Sequence, residues 1–294
     1  MTTATSDFQQ HELLLNSHKI NYYTVGNPSR CPRKFLFIHG HRSDALRFKT
    51  FIRGLAEFGE VIVPDLPGCG QSPRYPRRWH SMENYARTLA DFIERLNCKD
   101  IVLVGGSMGG IIALHLYPKI AQRISKIVLI STPVDYRLFN SQVTKFRRYR
   151  PLAKLLVKTR IFPIWGDKLI ARDKIAKAIL TRKFEPEDKV SEIINYEIQQ
   201  WRAMSLSVWL QTIYDILNVE IACNPPQITA PAFLVENRNE NYYNSQKNLE
   251  LLKQFAPNHE IALTSFKKHV PKGEIPESFL DPYRKKLREF LERE

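Results

Sequence analysis

Short apolar runs and amphipathic segments alternate along the first half of the chain. KFLFIHG, from Lys34 to Gly40, and KIVLIST, from Lys126 to Thr132, are apolar in the way of strands buried on both faces. Between them, a segment after Ser81, a residue type that caps helices, repeats apolar side chains at helical spacing. These are Tyr85, Leu89, Phe92, Ile93 and Leu96. Strands that alternate with helices predict an α/β fold, with a mostly parallel central sheet covered by helices on both faces.

The rest of the first half and the C-terminal end extend this pattern. HELLL and INYYTV, joined by NSHK at 16–19, predict a hairpin at the start. ALRFKTFIRGLAEF predicts a helix, and VIVPDLPGCGQS predicts a strand beginning at Val61. APAFLV, from Ala230, and EIALTSF, from Glu260, predict two late strands, and ESFLDPYRKKLREFLERE predicts a closing helix.

The pattern changes between these two parts, where a long stretch is mainly helical and contains no strongly apolar strand. The simplest division is an α/β core formed by residues 1–136 and 226–294, interrupted by a helical cap at 137–225.

Composition narrows the class of protein. Of the 294 residues 43% are apolar and 25% are charged, which is ordinary for a globular chain. We expect a soluble, cytoplasmic protein, because no signal-peptide pattern opens the sequence and no apolar run is long enough to span a membrane. The four cysteines lack zinc-type spacing, and no dinucleotide-binding glycine pattern is complete, so we predict neither metal nor cofactor. The sequence gives no indication of oligomeric state.

One short motif carries candidate chemistry. Gly105-Gly106-Ser107-Met108-Gly109 fits the pattern G-x-S-x-G, and it lies between an apolar strand and a helix. A sharp turn from strand to helix lifts a serine hydroxyl above the edge of a sheet, and glycines on both sides relieve crowding there. This context favours a nucleophilic serine over a turn that serves packing alone.

The chain resembles the α/β-hydrolase superfamily over nearly its whole length. The resemblance rests on FLFIHGH, VIVPDLPGCGQS, SMENYARTLADFIERLNCKDIVLVGGSMGG and KKHVPKGEIPESFLDPYRKKLREFL. It implies that Ser107 is the nucleophile and that His269, in the loop between the last strand and the last helix, is the base. It also implies an oxyanion hole formed by the backbone N–H groups of His41 and Met108.

The acid of the triad is less clear, because relatives carry a pattern like G-x-x-D after the strand that APAFLV matches. Here Asn237 stands at the glycine position and Glu240 at the acid position. Glutamate accepts the same hydrogen bond from imidazole, so Glu240 is the preferred candidate. Glu236 and Asp135, which follow two successive strands, remain alternatives. A further alternative is that the acid has been lost and both glutamates are solvated loop charges.

A basic segment follows the first half of the core. Residues 137–160 contain eight lysines and arginines and no acidic residue, within a chain of formal net charge +14. A basic amphipathic cap helix that contacts an anionic membrane or an acidic substrate is one interpretation, and a solvated outer face is the other. We expect no nucleic-acid partner, because no recognition motif accompanies the charge.

These observations together favour a serine hydrolase that cleaves an ester or related acyl bond of a small, hydrophobic substrate. Cap aromatics would wall its pocket, although packing between cap and core explains them equally well. They are Trp165, Trp201, Trp209, Tyr196 and Tyr214. The alternatives are a carbon–carbon bond hydrolase acting on diketones and an inactive binding protein with the same fold. Dehalogenase and epoxide-hydrolase branches fit less well, because their elbow nucleophile is aspartate.

Overall fold

The computed structural model describes residues 8–26, 33–75, 79–144, 155, 191–267, 269 and 273–293. A sheet of eight strands runs through them in the order β1-β2-β4-β3-β5-β6-β7-β8. The strands are β1 Gln9–Leu15, β2 His18–Val25, β3 Lys34–Ile38, β4 Glu60–Pro64, β5 Ile101–Gly106, β6 Ile124–Ile130, β7 Ala232–Asn237 and β8 His259–Thr264. Strand β2 is antiparallel to both of its neighbours, and the other adjacent strands are parallel. The predicted mostly parallel sheet is therefore confirmed.

The opening hairpin is tighter than the sequence suggested. Only Asn16 and Ser17 form its turn, with φ of 46° and 66°, and His18 pairs with Leu15 in the ladder. Two consecutive positive φ values match the right-handed twist of the strands and allow a two-residue connection. Strand β1 alternates between exposed and more buried side chains, as expected at a sheet edge with one face toward water.

Helices cover both faces of the sheet. They are α1 Lys49–Leu55, α2 Met82–Arg95, α3 Met108–Ile120, α4 Ser141–Thr144, α5 Ser191–Ala203, α6 Leu206–Ile216, α7 Ser245–Phe255 and α8 Asp281–Glu292. The predicted cap of α2 is present, because Ser81 Oγ accepts a hydrogen bond from Asn84 N. One buried apolar cluster packs α2, α3 and α7 on one face of the sheet, and a second packs α1 and α8 on the other.

The end of β4 is followed by a loop that a buried aspartate holds. The strand stops at Pro64, so the remainder of VIVPDLPGCGQS is not a strand as expected. Asp65 accepts hydrogen bonds from Ala45 N, Gln71 N and Asn21 Nδ2. These bonds tie the loop after β4 to the connection between β3 and α1, residues 39–48, which we call the β3–α1 loop.

Strand β7 is longer than the apolar pattern indicated. It continues through Glu236 and Asn237, which are both buried. The pairing with β8 extends to the same point, where Glu236 faces Leu263 and Asn237 faces Thr264. Glu236 therefore lies within the sheet, and the turn toward Glu240 begins only after Asn237.

The described part of the predicted cap is helical. Helix α6 is fastened to the segment before α2, because His80 N donates to Gln211 Oε1 and Met82 N donates to Asp215 Oδ2. Its Val208 packs on Gly68, where an added Cβ would lie 2.8 Å from a Val208 methyl group. The boundaries at 137 and 225 stay predictions, since 145–154 and 156–190 lie outside the described residues.

Most of the basic segment also falls outside the described residues. Arg137, its first member, forms an ion pair with Asp135 at 2.5 Å. None of the helices that the structure describes is long and apolar enough to cross a bilayer.

Candidate active site

Ser107 occupies the turn between β5 and α3. Its backbone has φ 52° and ψ −117°, a conformation that side-chain-bearing residues rarely adopt. The turn is held from both sides: Ser107 N donates to Ile130 O at 2.8 Å, and Ser107 O accepts from Gly110 N at 3.0 Å. The strained turn predicted from G-x-S-x-G is present in the structure.

The glycines of the motif have unequal roles. A Cβ added at Gly109 would overlap the carbonyl oxygen of Ile38, at the end of β3, and one at Gly105 would lie 2.5 Å from Gly109 O. At Gly106 the nearest atom would be 3.9 Å away, an ordinary van der Waals distance. Gly105 and Gly109 therefore allow α3 to approach the sheet, whereas Gly106 has room for a side chain.

His269 faces the serine. Its Nε2 lies 2.9 Å from Ser107 Oγ, within hydrogen-bonding distance, and its side chain is 10% exposed. The ring of Tyr242 meets it edge-on, with centroids 5.3 Å apart. Residues 162 positions apart are thus joined at the carboxyl end of the parallel strands.

Glu240 completes a chain of hydrogen bonds. Its Oε2 lies 2.5 Å from His269 Nδ1, and its Oε1 accepts from the backbone N–H groups of Asn241 and Tyr242, each at 2.9 Å. The side chain is fully buried. Of the three acid candidates, Glu240 is the one that the structure brings to His269.

The β3–α1 loop passes beside the serine. A Cβ added at Gly40 would lie 3.5 Å from Gly106 O and 4.0 Å from Ser107 Cβ. The next backbone N–H belongs to His41, and Met108 contributes the first N–H of α3. Neither group donates to an acceptor in the part of the chain that the structure describes.

His39 shapes this loop rather than facing the serine. Leu66 N donates to its Nε2 at 3.1 Å, so the ring proton is on Nδ1, which donates to Gly40 O at 3.0 Å. Burial lowers the pKa of His39 and favours the neutral ring. Among the described residues, no group of three or more His, Cys, Asp or Glu side chains is arranged to hold a metal ion.

Comparison with known proteins identifies the family. A profile described as the alpha/beta hydrolase fold matches residues 35–273. The chain belongs to the α/β-hydrolase fold family. The family resemblance predicted from the sequence motifs is confirmed, and with it the fold class.

Curated relatives of this α/β-hydrolase match only part of it. A haloalkane dehalogenase of Mesorhizobium japonicum is 27% identical over 173 residues, which cover 57% of this chain and 51% of the dehalogenase. An uncharacterised hydrolase of Bacillus subtilis, YugF, is 33% identical over 164 residues, or 53% of this chain and 59% of that protein. The chain thus spans between half and three fifths of the length of these two relatives.

Solved structures match the α/β-hydrolase nearly end to end. An esterase from Thermogutta terrifontis, with malate bound, superposes with a TM-score of 0.68 at 21% identity, covering 96% of this chain and 99% of the esterase. An esterase from Exiguobacterium antarcticum gives a TM-score of 0.67 at 16% identity, with coverage of 98% and 100%. At such identities the likeness establishes the fold.

Glu236, the first alternative acid, forms hydrogen bonds with residues other than His269. Asn248 Nδ2 donates to its Oε1 at 2.9 Å, and the hydroxyl of Tyr243 lies 3.1 Å from its Oε2. Burial raises the pKa of the Glu236 carboxyl to about 8. The side chain is therefore a neutral acid around pH 7, held in a polar network beneath the loop that carries Glu240.

Asp135, the second alternative, also has its own partner. Both of its carboxylate oxygens receive hydrogen bonds from the Arg137 side chain, and Oδ1 also accepts from Arg137 N. The guanidinium and backbone hydrogen bonds outweigh burial and lower the pKa of Asp135. Among the described contacts, neither Asp135 nor Glu236 bonds to His269.

Two polar residues of the site region were missed in the sequence. Asn248 also donates to Thr132 O and accepts from Val134 N, so it fixes the ends of β6 and β7 to α7. Glu197 of α5 is fully buried against the β3–α1 loop. Each lies on the buried face of its helix, so a polar residue within an apolar stripe was the available signal.

We expect Glu240→Gln to lower kcat by about 10³- to 10⁴-fold, because an amide no longer stabilises the imidazolium and favours the wrong tautomer. Glu236→Gln is the matched control. Its amide imitates the protonated carboxyl, so activity at pH 7 should stay close to wild type. Steady-state kinetics on a chromogenic ester measures both. Full activity in both variants would disprove the role of Glu240 and move attention to Asp135.

The raised pKa of Glu236 predicts a pH-dependent stability. Folded protein keeps the proton up to about pH 8, whereas unfolded protein releases it near 4.5. Between these values the folded state binds more protons, so wild type loses up to about 1.4 kcal/mol of stability per pH unit as pH rises. The melting-temperature advantage of Glu236→Gln should grow from pH 5 to 8 and then level off. A constant difference would contradict a buried neutral acid.

Gly109→Ala should destabilise the protein by about 1 to 3 kcal/mol or more, because the added Cβ would overlap the backbone carbonyl oxygen of Ile38, which cannot move as a flexible side chain can. This exceeds the gain of up to about 1 kcal/mol that alanine brings to a helix over glycine. Gly106→Ala, three residues earlier in the same motif, should change stability by no more than about 0.5 kcal/mol. Urea unfolding of both variants provides the comparison, and equal stabilities would refute the close approach.

Proposed function

We propose that this α/β-hydrolase is a serine hydrolase that cleaves an ester or related acyl bond of a small, apolar substrate through an acyl-enzyme. One observation carries the proposal: the continuous chain of hydrogen bonds from Ser107 Oγ through His269 to Glu240. A serine hydroxyl is a weak nucleophile near neutral pH, and an imidazole nitrogen 2.9 Å away can take its proton as the bond forms.

In the first half of the reaction Ser107 Oγ attacks the substrate carbonyl carbon, and its proton passes to His269 Nε2. The tetrahedral intermediate then collapses, the bond to the leaving oxygen breaks, and the same proton passes from Nε2 to that oxygen. An alcohol departs and the acyl group stays on Ser107. In the second half His269 Nε2 takes a proton from water as the water oxygen adds to the acyl carbon. The bond between that carbon and Ser107 Oγ then breaks, the proton passes from Nε2 to Oγ, and a carboxylic acid is released.

Glu240 has a supporting role in both halves. Its Oε2 accepts from Nδ1 of His269, which keeps the unprotonated Nε2 turned toward the serine. When the imidazole becomes a cation, the adjacent carboxylate stabilises it. The two backbone N–H bonds to Oε1 hold the carboxylate in place throughout.

The proposed oxyanion donors are the backbone N–H groups of His41 and Met108. Their support is the contact of the β3–α1 loop with the turn at Ser107 and the position of Met108 at the start of α3. A helix N-terminus favours negative charge, so it stabilises the tetrahedral oxyanion more than the neutral carbonyl. Each such donor is typically worth about 2.7 to 4 kcal/mol of barrier.

The proposed substrate preference rests on cap aromatics. The Trp209 ring lies beside His41, with centroids 6.2 Å apart, and so lines the region next to the proposed oxyanion hole. Tyr214 instead packs against Trp79 of the core, and the Tyr196 hydroxyl is buried. Trp165 and the Trp201 side chain lie outside the described residues. Trp209 is therefore the aromatic that favours an apolar acyl or alcohol group.

A fluorophosphonate probe tests the nucleophile. Wild type should be labelled and should hydrolyse short p-nitrophenyl esters, and Ser107→Ala should lose both properties because it has no hydroxyl to form the covalent bond. His269→Ala should lose activity by about 10⁶-fold, since a triad acts as a unit. In-gel fluorescence and mass spectrometry of the labelled peptide measure the outcome.

The same experiment separates the alternatives. Labelling that persists in Ser107→Ala would refute the assigned nucleophile. Folded wild type that is never labelled would favour the inactive binding protein. Labelling without hydrolysis of any ester, together with cleavage of a vinylogous diketone, would favour the carbon–carbon bond hydrolase, which uses the same three residues.

A further inference from the structure

A single carboxylate of helix α5 is buried against three hydrogen-bond donors among the described residues. Glu197 Oε2 pairs with Arg42 Nη2 at 2.7 Å, and Glu197 Oε1 pairs with Arg47 Nη2 at 2.8 Å. Oε1 also accepts from Gly273 N at 3.2 Å. The Glu197 side chain is 0% exposed, against 25% for Arg42 and 7% for Arg47. A buried charge that lost these partners would be costly, so the arrangement constrains every element that it touches.

Those elements are the ones that build the proposed site. Arg42 and Arg47 belong to the β3–α1 loop, and Gly273 belongs to the segment between His269 and α8. Arg47 O also accepts from Ile275 N at 2.8 Å. Helix α5 therefore contacts the proposed oxyanion side and the histidine side of the site through one carboxylate.

A second residue of α5 holds the same loop. Gln200 lies three positions after Glu197, on the same helix face, and its Nε2 donates to Asp44 Oδ2 at 3.2 Å. Asp44 Oδ1 in turn accepts from Arg47 N, and Arg47 Nη1 donates to Arg42 O. The loop and the helix are thus joined by a closed polar network rather than by one surface ion pair.

The loop needs this support because of its backbone. Arg42 has φ 54°, in the left-handed region that residues with a side chain rarely adopt. Such a conformation persists only where the surroundings fix it. Arg42 directly follows His41, whose N–H is a proposed oxyanion donor, and Gly40 on the other side rests on the turn at Ser107. The His41 peptide therefore lies between Gly40, which contacts the turn at Ser107, and Arg42, which pairs with Glu197.

We infer that Glu197 is a positioning residue: by binding Arg42, Arg47 and Gly273 N together, it couples the seating of helix α5 to the alignment of the oxyanion loop with His269. The expected effect on catalysis rests on the proposed function. The connection of helix α5 to the β3–α1 loop and to Gly273 is a property of the fold. It accounts for the residue type, because only a carboxylate accepts from two guanidinium groups and a backbone N–H without presenting a donor of its own.

Glu197→Gln is the direct test, because its amide NH₂ would face one of the two arginines. We expect kcat on a p-nitrophenyl ester to fall by about 10²-fold, the effect of an ångström-scale misplacement of a catalytic group. KM should change little, and affinity for a trifluoromethyl ketone, which forms the oxyanion, should fall with kcat. Glu197→Asp, which keeps the charge, should recover part of the loss.

Asp215→Asn is the matched control. It also removes one negative charge from a helix of the predicted cap, but Asp215 contacts Met82 N and not the β3–α1 loop. Its kcat should stay near wild type. A kcat in Glu197→Gln equal to that of wild type would overturn the inference. So would an equal loss in Asp215→Asn, because the effect would then be general loosening of the cap.

Hydrogen exchange separates failure of the inference from failure of the proposed function. Peptides covering residues 39–48 should exchange faster in Glu197→Gln and remain unchanged in Asp215→Asn, whether or not the protein hydrolyses esters. Faster exchange in a protein that no probe labels would leave the link intact and refute the proposed function. Unchanged exchange in 39–48 would refute the link.

Arg42→Lys provides the test if Glu197→Gln does not fold. It leaves Glu197 paired with Arg47 but replaces the planar guanidinium group of Arg42, whose Nη2 pairs with Glu197 Oε2, by an ammonium group. The same fall in kcat, at an unchanged KM, is expected. A folded Arg42→Lys with wild-type kcat and wild-type exchange in 39–48 would overturn the inference.

Discussion

The start of helix α3 lies against the carbonyl oxygen of Ile38 at a distance that leaves no room for a side chain. Two loops meet because of this contact: the turn that carries Ser107 and the β3–α1 loop that passes beside it. Gly109 allows the approach, and the unusual backbone of Ser107 directs its hydroxyl away from the sheet toward His269. The same packing brings Gly40, the residue before His41, beside the turn at Ser107.

The environment of each carboxylate, rather than its place in the sequence, distinguishes Glu240 from Glu236. Both follow the same apolar run within a few residues. Glu240 leaves the strand, and its carboxyl oxygens contact two backbone N–H groups and an imidazole. Glu236 stays in β7, where burial outweighs the amide of Asn248 and the hydroxyl of Tyr243 and favours the neutral acid. Of these two acidic residues, Glu240 is therefore the one that contacts His269 among the described residues, because Glu236 remains within strand β7.

Periodicity predicted the sheet and its covering helices, since buried parallel strands and amphipathic helices leave distinct patterns. The G-x-S-x-G motif and the resemblance to the α/β-hydrolase superfamily predicted Ser107 and His269, and counting against the G-x-x-D pattern of relatives predicted Glu240. Strand β7 was predicted too short because Glu236 and Asn237 are polar and yet buried. The contacts of Glu197 with Arg42 and Arg47 had no local signature, because those residues lie 155 and 150 positions away.

Helices α5 and α6 of the predicted cap are attached to the core in different ways. Helix α6 places Gln211 and Asp215 on backbone N–H groups of the core, which are present whatever side chains those positions carry. Helix α5 relies on side chains of the core, chiefly Arg42 and Arg47. In evolutionary terms, a substitution at position 42, 47 or 197 alters the attachment of α5 directly, whereas the two backbone N–H bonds of α6 tolerate substitution of the side chains at positions 80 and 82. Descendants of this chain can therefore vary the core side chains at these two contacts of α6 more freely than Arg42 and Arg47 beneath α5.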